Sequence, residues 1–158
     1  MNPCRRWMCG AGVLLGALAL VGPAAANPAT LSVTETLNQG GVIEIAVLLE
    51  QPDATRRPVL AEVFVEYDAQ RLSFLDGEAG VKSRAAQKAI FAHEVSGGVL
   101  RFTLMGVSLQ PIANGKLALL RFAAIASGPA RVAIENKRTR FAPKRAREAL
   151  TFGNPITV

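Results

Sequence analysis

The chain has 158 residues and a mass of 16.7 kDa, with 18 Lys and Arg against 12 Asp and Glu for a net charge of +6. Its two cysteines, Cys4 and Cys9, and its one tryptophan, Trp7, stand close to the N-terminus. Everything downstream therefore lacks a disulfide, a thiol nucleophile and a Cys-based metal site, and the length suits one domain of the usual ~100–200 residues.

In chain order, Arg5 and Arg6 come first, then the apolar run GAGVLLGALALVG and the small residues PAAA, the pattern of an export signal peptide. The apolar run falls short of the ~20 residues of a comfortable membrane span. Cys9 precedes the run, so it is not placed as a lipoprotein cysteine. Cleavage is expected after Ala26. Residues 1–26 are thus read as signal peptide and 27–158 as a secreted or periplasmic domain starting at Asn27, with no transmembrane segment once the signal is removed. Losing Arg5 and Arg6 lowers the 18 cations to 16 against the same 12 acids, a mature charge of +4.

The mature chain reads as strand after strand. TLSVTETL (Thr30–Leu37) alternates and NQGG breaks it; VIEIAVLLE (Val42–Glu50) is nearly continuous and suits a central strand. After the polar loop QPDATRRP, Val59–Tyr67 alternates again, with Val63, Val65 and Tyr67 on one phase and Glu62, Phe64 and Glu66 on the other. LSFLDGEAG resumes extended structure. Lys82–Ala89 could hold one or two helical turns capped by Ser83. IFAHEV and VLRFTLMG read as a hairpin about a three-residue SGG loop, with Leu100, Phe102 and Leu104 on one phase and Arg101, Thr103 and Met105 on the other. KLALLRFAAIA and ARVAIE are further strands, a basic loop follows, and ALTFGNPITV supplies a last short strand. Eight or nine short strands with regular turn punctuation predict an all-β antiparallel sandwich.

The excess positive charge lies mostly in ENKRTRFAPKRARE, where Lys137, Arg138, Arg140, Lys144, Arg145 and Arg147 face only Glu135 and Glu148. In an exported protein, nucleic acid is not the expected partner. Anionic lipid, an acidic polysaccharide or an acidic protein are, with Arg138, Arg140, Lys144 and Arg145 as the contacts. The alternative is a solvated basic hairpin.

Three stretches, VFVEYDAQRLSF, GGVLRFTLMG and NGKLALLRFAAIASGPARVAI, taken in this order and spacing, resemble the cohesin domain of bacterial extracellular assemblies, a likeness that runs from about Thr30 to Val158. The resemblance implies a jelly roll of about nine strands, in a superfamily that also holds carbohydrate-binding modules of scaffold proteins. It also implies a partner protein bound through one sheet face, typically a calcium-loaded dockerin, which carries paired D-x-N-x-D-G loops. This chain has no such loop and would be the receiving half. The matching positions are Leu60, Glu62, Phe64 and Glu66, then Ala92 and Glu94, then Arg101, Thr103 and Met105. Unlike the family's usual scaffold domains, which sit in multi-domain chains, the sequence is read as a lone basic domain behind its leader.

Alternation leads to the same face. With Val63, Val65, Tyr67, Leu100, Phe102, Leu104 and Phe122 inward, Phe64, Thr103 and Met105 form an apolar centre rimmed by Glu62, Glu66 and Arg101, the anatomy of an interface. The other reading has Phe64 covered by its own chain, with Lys82–Ala89 as the cover, or simply tolerated at the surface.

Catalytic chemistry finds no footing. His93, in phase with Phe91 and Val95, is expected to lean inward or sit at the rim. Glu62 and Glu66 stand roughly 13 Å apart at ~3.3 Å per residue, beyond the ~5–10 Å of paired catalytic carboxylates. Asp68, Asp76 and Glu78 lack the spacing of a calcium loop. No phosphate loop, nucleophile elbow or zinc spacing occurs, so no enzyme and no cofactor are expected. The expected function is a non-catalytic binding or assembly module. The alternative is a carbohydrate-binding module associated with polysaccharide catabolism, although Tyr67 falls on the core phase and offers no stacking ring.

Overall fold

The structure, a computed structural model, describes residues 29–148 and 150–158. The expected signal peptide at 1–26, with Cys4, Trp7, Cys9 and the cleavage site before Asn27, lies outside the described residues.

Ten strands and one short helix follow in the order β1 (Ala29–Gln39), β2 (Val42–Glu50), β3 (Leu60–Tyr67), β4 (Leu72–Ala79), α1 (Val81–Ala85), β5 (Ala89–Ser96), β6 (Val99–Met105), β7 (Gly115–Ala124), β8 (Arg131–Ala142), β9 (Leu150–Phe152) and β10 (Ile156–Thr157). They form two five-stranded sheets, β4-β7-β2-β1-β9 and β10-β8-β3-β6-β5. This is the expected jelly-roll sandwich. The single closing strand read from ALTFGNPITV is in fact two, one in each sheet: β9 pairs parallel with β1, and β10 antiparallel with β8.

The core follows from period-2 alternation. Leu31, Val33, Ile45, Val47, Leu49, Leu117, Leu120 and Phe122 from the first sheet meet Ala61, Val63, Val65, Tyr67, Leu100, Phe102, Leu104 and Val132 from the second. Phe122 is the aromatic hub, its ring centroid 5.1 Å from that of Tyr67 and 5.8 Å from that of Phe74. Each large apolar side chain buried here contributes about 1.5–3 kcal/mol. The described residues contain no cysteine, so this burial and the two backbone ladders hold the fold.

Two local features depart from expectation. Ser83 does not cap α1: Gly80 occupies that position, and the buried Ser83 hydroxyl donates to the Leu117 carbonyl of β7 at 2.8 Å. The β5–β6 loop is two residues, Gly97 and Gly98, because Ser96 pairs with Val99. Gly98 sits at φ +84°, and its carbonyl accepts from Tyr67 N–H at 2.8 Å. A Cβ there would stand 2.7 Å from Tyr67 O, so the hairpin tip closes on the end of β3 only with glycine.

Candidate interaction face

Residues directly opposite one another in an antiparallel pair point to the same side of the sheet. Glu62 lies opposite Thr103 on one side and Arg140 on the other, and Phe64 lies opposite Arg101 and Glu135. On β5, Phe91 faces Thr103 and His93 faces Arg101. The outer surface of β8-β3-β6-β5 thus carries two rows, Arg140-Glu62-Thr103-Phe91 and Glu135-Phe64-Arg101-His93. Half-buried Leu60 opposes Ala142 on β8, exposed Met105 opposes Ala89 on β5, and Glu66 lies opposite Val99 and Ala133.

Phe64 points outward, as its phase requires, yet it is only 9% exposed. Its cover is β8, not Lys82–Ala89. Pairing jumps from Phe64–Glu135 to Glu62–Arg140, so Asn136, Lys137, Arg138 and Thr139 bulge out where β3 has Val63 alone. Thr139, fully buried, closes the bulge: its hydroxyl donates to Glu135 O at 2.7 Å and accepts from Phe64 N–H at 3.2 Å. Arg138 then lies over the Phe64 ring at 4.7 Å and pairs with Glu135, a cation–π arrangement. The expected exposed aromatic at the centre is therefore a capped one. The expected basic loop is also corrected, because β8 runs through it to Ala142.

The phase of β5 is the second correction. Ile90, Ala92 and Glu94 pair with the inward residues Leu104, Phe102 and Leu100, so they face the sandwich side. Ala92, expected outward, packs against the core, and Glu94 reaches the rim beside the Tyr67 hydroxyl. Burial and that carboxylate push the Tyr67 phenol up to about 12. His93, expected inward or at the rim, is exposed on the outer face with Phe91 and Val95. Phe91 at 57%, Val95 at 47% and Met105 at 45% are the exposed apolar side chains of this face. Sequence reasoning missed the first two because both phases of IFAHEV contain apolar residues. The register against β6, whose phase is unambiguous, is the signal that finds them.

The acids of the face are matched within it. Glu62 Oε1 stands 3.5 Å from Arg101 Nε, and Glu66 Oε2 stands 3.8 Å from Arg131 Nη1. Away from the face, Asp68 pairs with Arg71, Asp76 with Arg121 through two hydrogen bonds of 2.6 and 3.0 Å, and Glu78 with Arg84. Among the described residues no three His, Asp or Glu side chains come together as a metal site would require.

The four cations expected to meet an anion separate. Arg138 is committed to Phe64 and Glu135. Arg140 and Lys144 line a groove with Lys137 and Arg147, while the exposed Arg145 is not among its lining residues. Among the described residues no helix is long and apolar enough to cross a membrane.

Sheet order and connectivity together define a cohesin fold. Solved structures that share it include the sixth cohesin of scaffoldin B from Acetivibrio cellulolyticus, in complex with a dockerin. That cohesin is 21% identical, with a TM-score of 0.63 over 80% of this chain and 95% of its own. A type II cohesin from the cellulosome of the same organism matches at 13% identity and a TM-score of 0.66, over 83% of this chain and 95% of its own. A non-cellulosomal cohesin from the archaeon Archaeoglobus fulgidus matches at 13% identity and a TM-score of 0.62, over 82% and 88%. No family model and no curated protein matches the sequence.

Proposed function

We propose that this chain is an exported, non-catalytic binding module that presents the outer face of β8-β3-β6-β5 to a partner protein, dockerin-like in kind. The observation that carries this reading is the line of exposed apolar side chains along this edge of the sheet, Phe91 and Val95 on β5 and Met105 on the neighbouring β6, beside the ion pairs Glu62–Arg101 and Glu66–Arg131. Exposed apolar side chains beside paired charges suit protein association. Leu60, Thr103 and the capped Phe64 extend the same surface, and Glu94 borders it at the rim. A solved cohesin of the same fold holds a dockerin, which supports the choice of partner class.

The test immobilises the mature chain and its Phe91→Ser/Met105→Ser form, and offers each the exported proteins of the native host and purified calcium-loaded dockerins. A protein retained by the first and lost from the second, and released by calcium chelation, is the expected result. Equal retention by two folded forms moves the partner to another surface. Retention that survives chelation removes the dockerin-like class.

A further inference from the structure

The segment from the β8 bulge through the 3-10 turn Lys144–Ala146 builds a second surface, which meets the outer face of the sheet at Arg140. A groove of ≈ 480 Å³ is lined by Lys137, Arg140, Phe141, Lys144, Arg147 and Glu148, four cations against one carboxylate. Outside the groove, Arg56, Arg71, Arg84, Arg101, Arg121, Arg131 and Arg138 each hold an Asp or Glu within ion-pair distance, and only Arg57 and Arg145 among the described arginines there do not. Among the described residues, no carboxylate comes that close to Lys137, Arg140, Lys144 or Arg147.

Arg147 is also fixed in place. Its Nε donates to Thr139 O at 2.7 Å, and its Nη2 donates to Asn136 O at 2.8 Å and Asn136 Oδ1 at 3.4 Å. These acceptors are neutral, so they orient the guanidinium and leave its charge uncompensated. A cation already ordered loses less side-chain entropy on meeting an anion. The same bulge that caps Phe64 therefore builds one wall of this groove.

We propose that this groove binds an acidic oligosaccharide through its carboxylate or sulfate groups. The volume lies within the ~300–1,000 Å³ of small-molecule sites, too large for one oxyanion alone. Four cations in one concavity suit a ligand that repeats its negative charge. A lipid surface fits less well: interfacial binding buries exposed apolar side chains, and none of the large exposed ones, from Leu37 to Ile125, lines the groove. Recognition here is by point charges, with no stacked ring, since Phe141 is buried.

The experiment is calorimetric titration of the mature chain and its Lys137→Gln/Arg140→Gln/Lys144→Gln form with oligogalacturonate and with a sulfated tetrasaccharide. Cellotetraose, inorganic sulfate, poly-glutamate and phosphatidylglycerol vesicles are the comparators. Arg147 is left intact because its hydrogen bonds hold the bulge. The expected result is binding of at least one acidic saccharide, weakened about tenfold or more between ~0.1 M and ~1 M salt as the screening length falls from ~10 Å to ~3 Å. The triple variant should lose this binding and keep its melting temperature. Cellotetraose should not bind, and inorganic sulfate should bind far more weakly. Equal binding by the triple variant overturns the site. Binding of vesicles or poly-glutamate in place of either saccharide overturns the ligand class.

Discussion

The guanidinium of Arg138 lies over the ring of Phe64, 4.7 Å from its centre, and turns an outward-facing aromatic into a nearly buried one. Arg138 is tied in turn to Glu135, the residue directly opposite Phe64 on β8. Phe64 therefore belongs to the fold's stability as well as to its outer face. Phe64→Ala is expected to cost ~3 kcal/mol or more, as for other buried Phe truncations, and Arg138→Ala much less. A double-mutant cycle in urea should return a coupling of about 0.5–1 kcal/mol. A coupling of zero would mean that the arginine does not rest on the ring.

Thr139 holds that cap shut. Its buried hydroxyl makes two backbone contacts across the bulge, to Glu135 O and Phe64 N–H. Thr139→Val keeps the shape and removes both, leaving a buried N–H and carbonyl short of a partner at a cost of about 1–3 kcal/mol. Amide hydrogen exchange at Phe64 should quicken in the variant more than at Leu104 on β6. A uniform change across the sheet would assign Thr139 no local role.

Tyr67 is the only tyrosine in the sequence, so the chain's tyrosinate absorbance reports on it alone. Its phenol is raised from 10.0 to about 12, by burial first and the Glu94 carboxylate second. Below the unfolded value both states hold the proton, and the stability it supports is fully present. Between the unfolded value and about 12 the unfolded chain gives up its proton while the folded chain keeps it, so stability falls as pH rises through that window. Folded protein should therefore titrate well above the urea-unfolded chain, and Glu94→Gln should narrow the gap without closing it. Coincident titrations would place the hydroxyl in water.

On the proposed partner face, Phe91 and Val95 are exposed enough that replacing them costs the fold little. Phe91→Ser is expected to weaken partner binding by about 2 kcal/mol, roughly 30-fold, if the side chain seats in a partner pocket. Melting should move by less than a few degrees. Because Glu62, Glu66 and Glu135 are each paired within the sheet, this binding should change little with salt. A steep salt dependence would point to an electrostatic contact elsewhere.

The sequence makes some of this legible and hides the rest for physical reasons. β2 spans Val42–Glu50 as read, because a nearly unbroken apolar run between NQGG and QPD leaves little else to form. Val63, Val65, Leu100, Phe102 and Leu104 are buried as their alternation implies. β8 was not legible past Glu135. Its bulge inserts four residues opposite one, so the alternation loses phase, and the returning pairs Arg140–Glu62 and Ala142–Leu60 look like loop. β5 failed differently. It is an edge strand, where Glu94 can sit on the inward phase and still reach water at the rim, so polarity no longer marks the side. Glu62, Phe64, Arg101, Thr103 and Met105 were read onto one face by phase alone, and the ladder brings them there. The groove needed Arg147 turned back onto Thr139 and Asn136, a contact no spacing rule contains.

The bulge also gives the outer face a relief. Asn136, Lys137 and Arg138 are exposed and stand out opposite Val63, whereas β6 pairs with β3 without a break from Ala61 to Glu66. The surface is a terrace with a ridge along one side: Phe91, Val95 and Met105 are on the terrace, and Phe64 lies beneath the ridge. A planar partner resting on the terrace is held off Phe64 by Arg138. A rod-shaped one, such as a helix, can lie along the foot of the ridge and touch both levels. For the proposed partner, this contour favours a convex, elongated shape over a flat one.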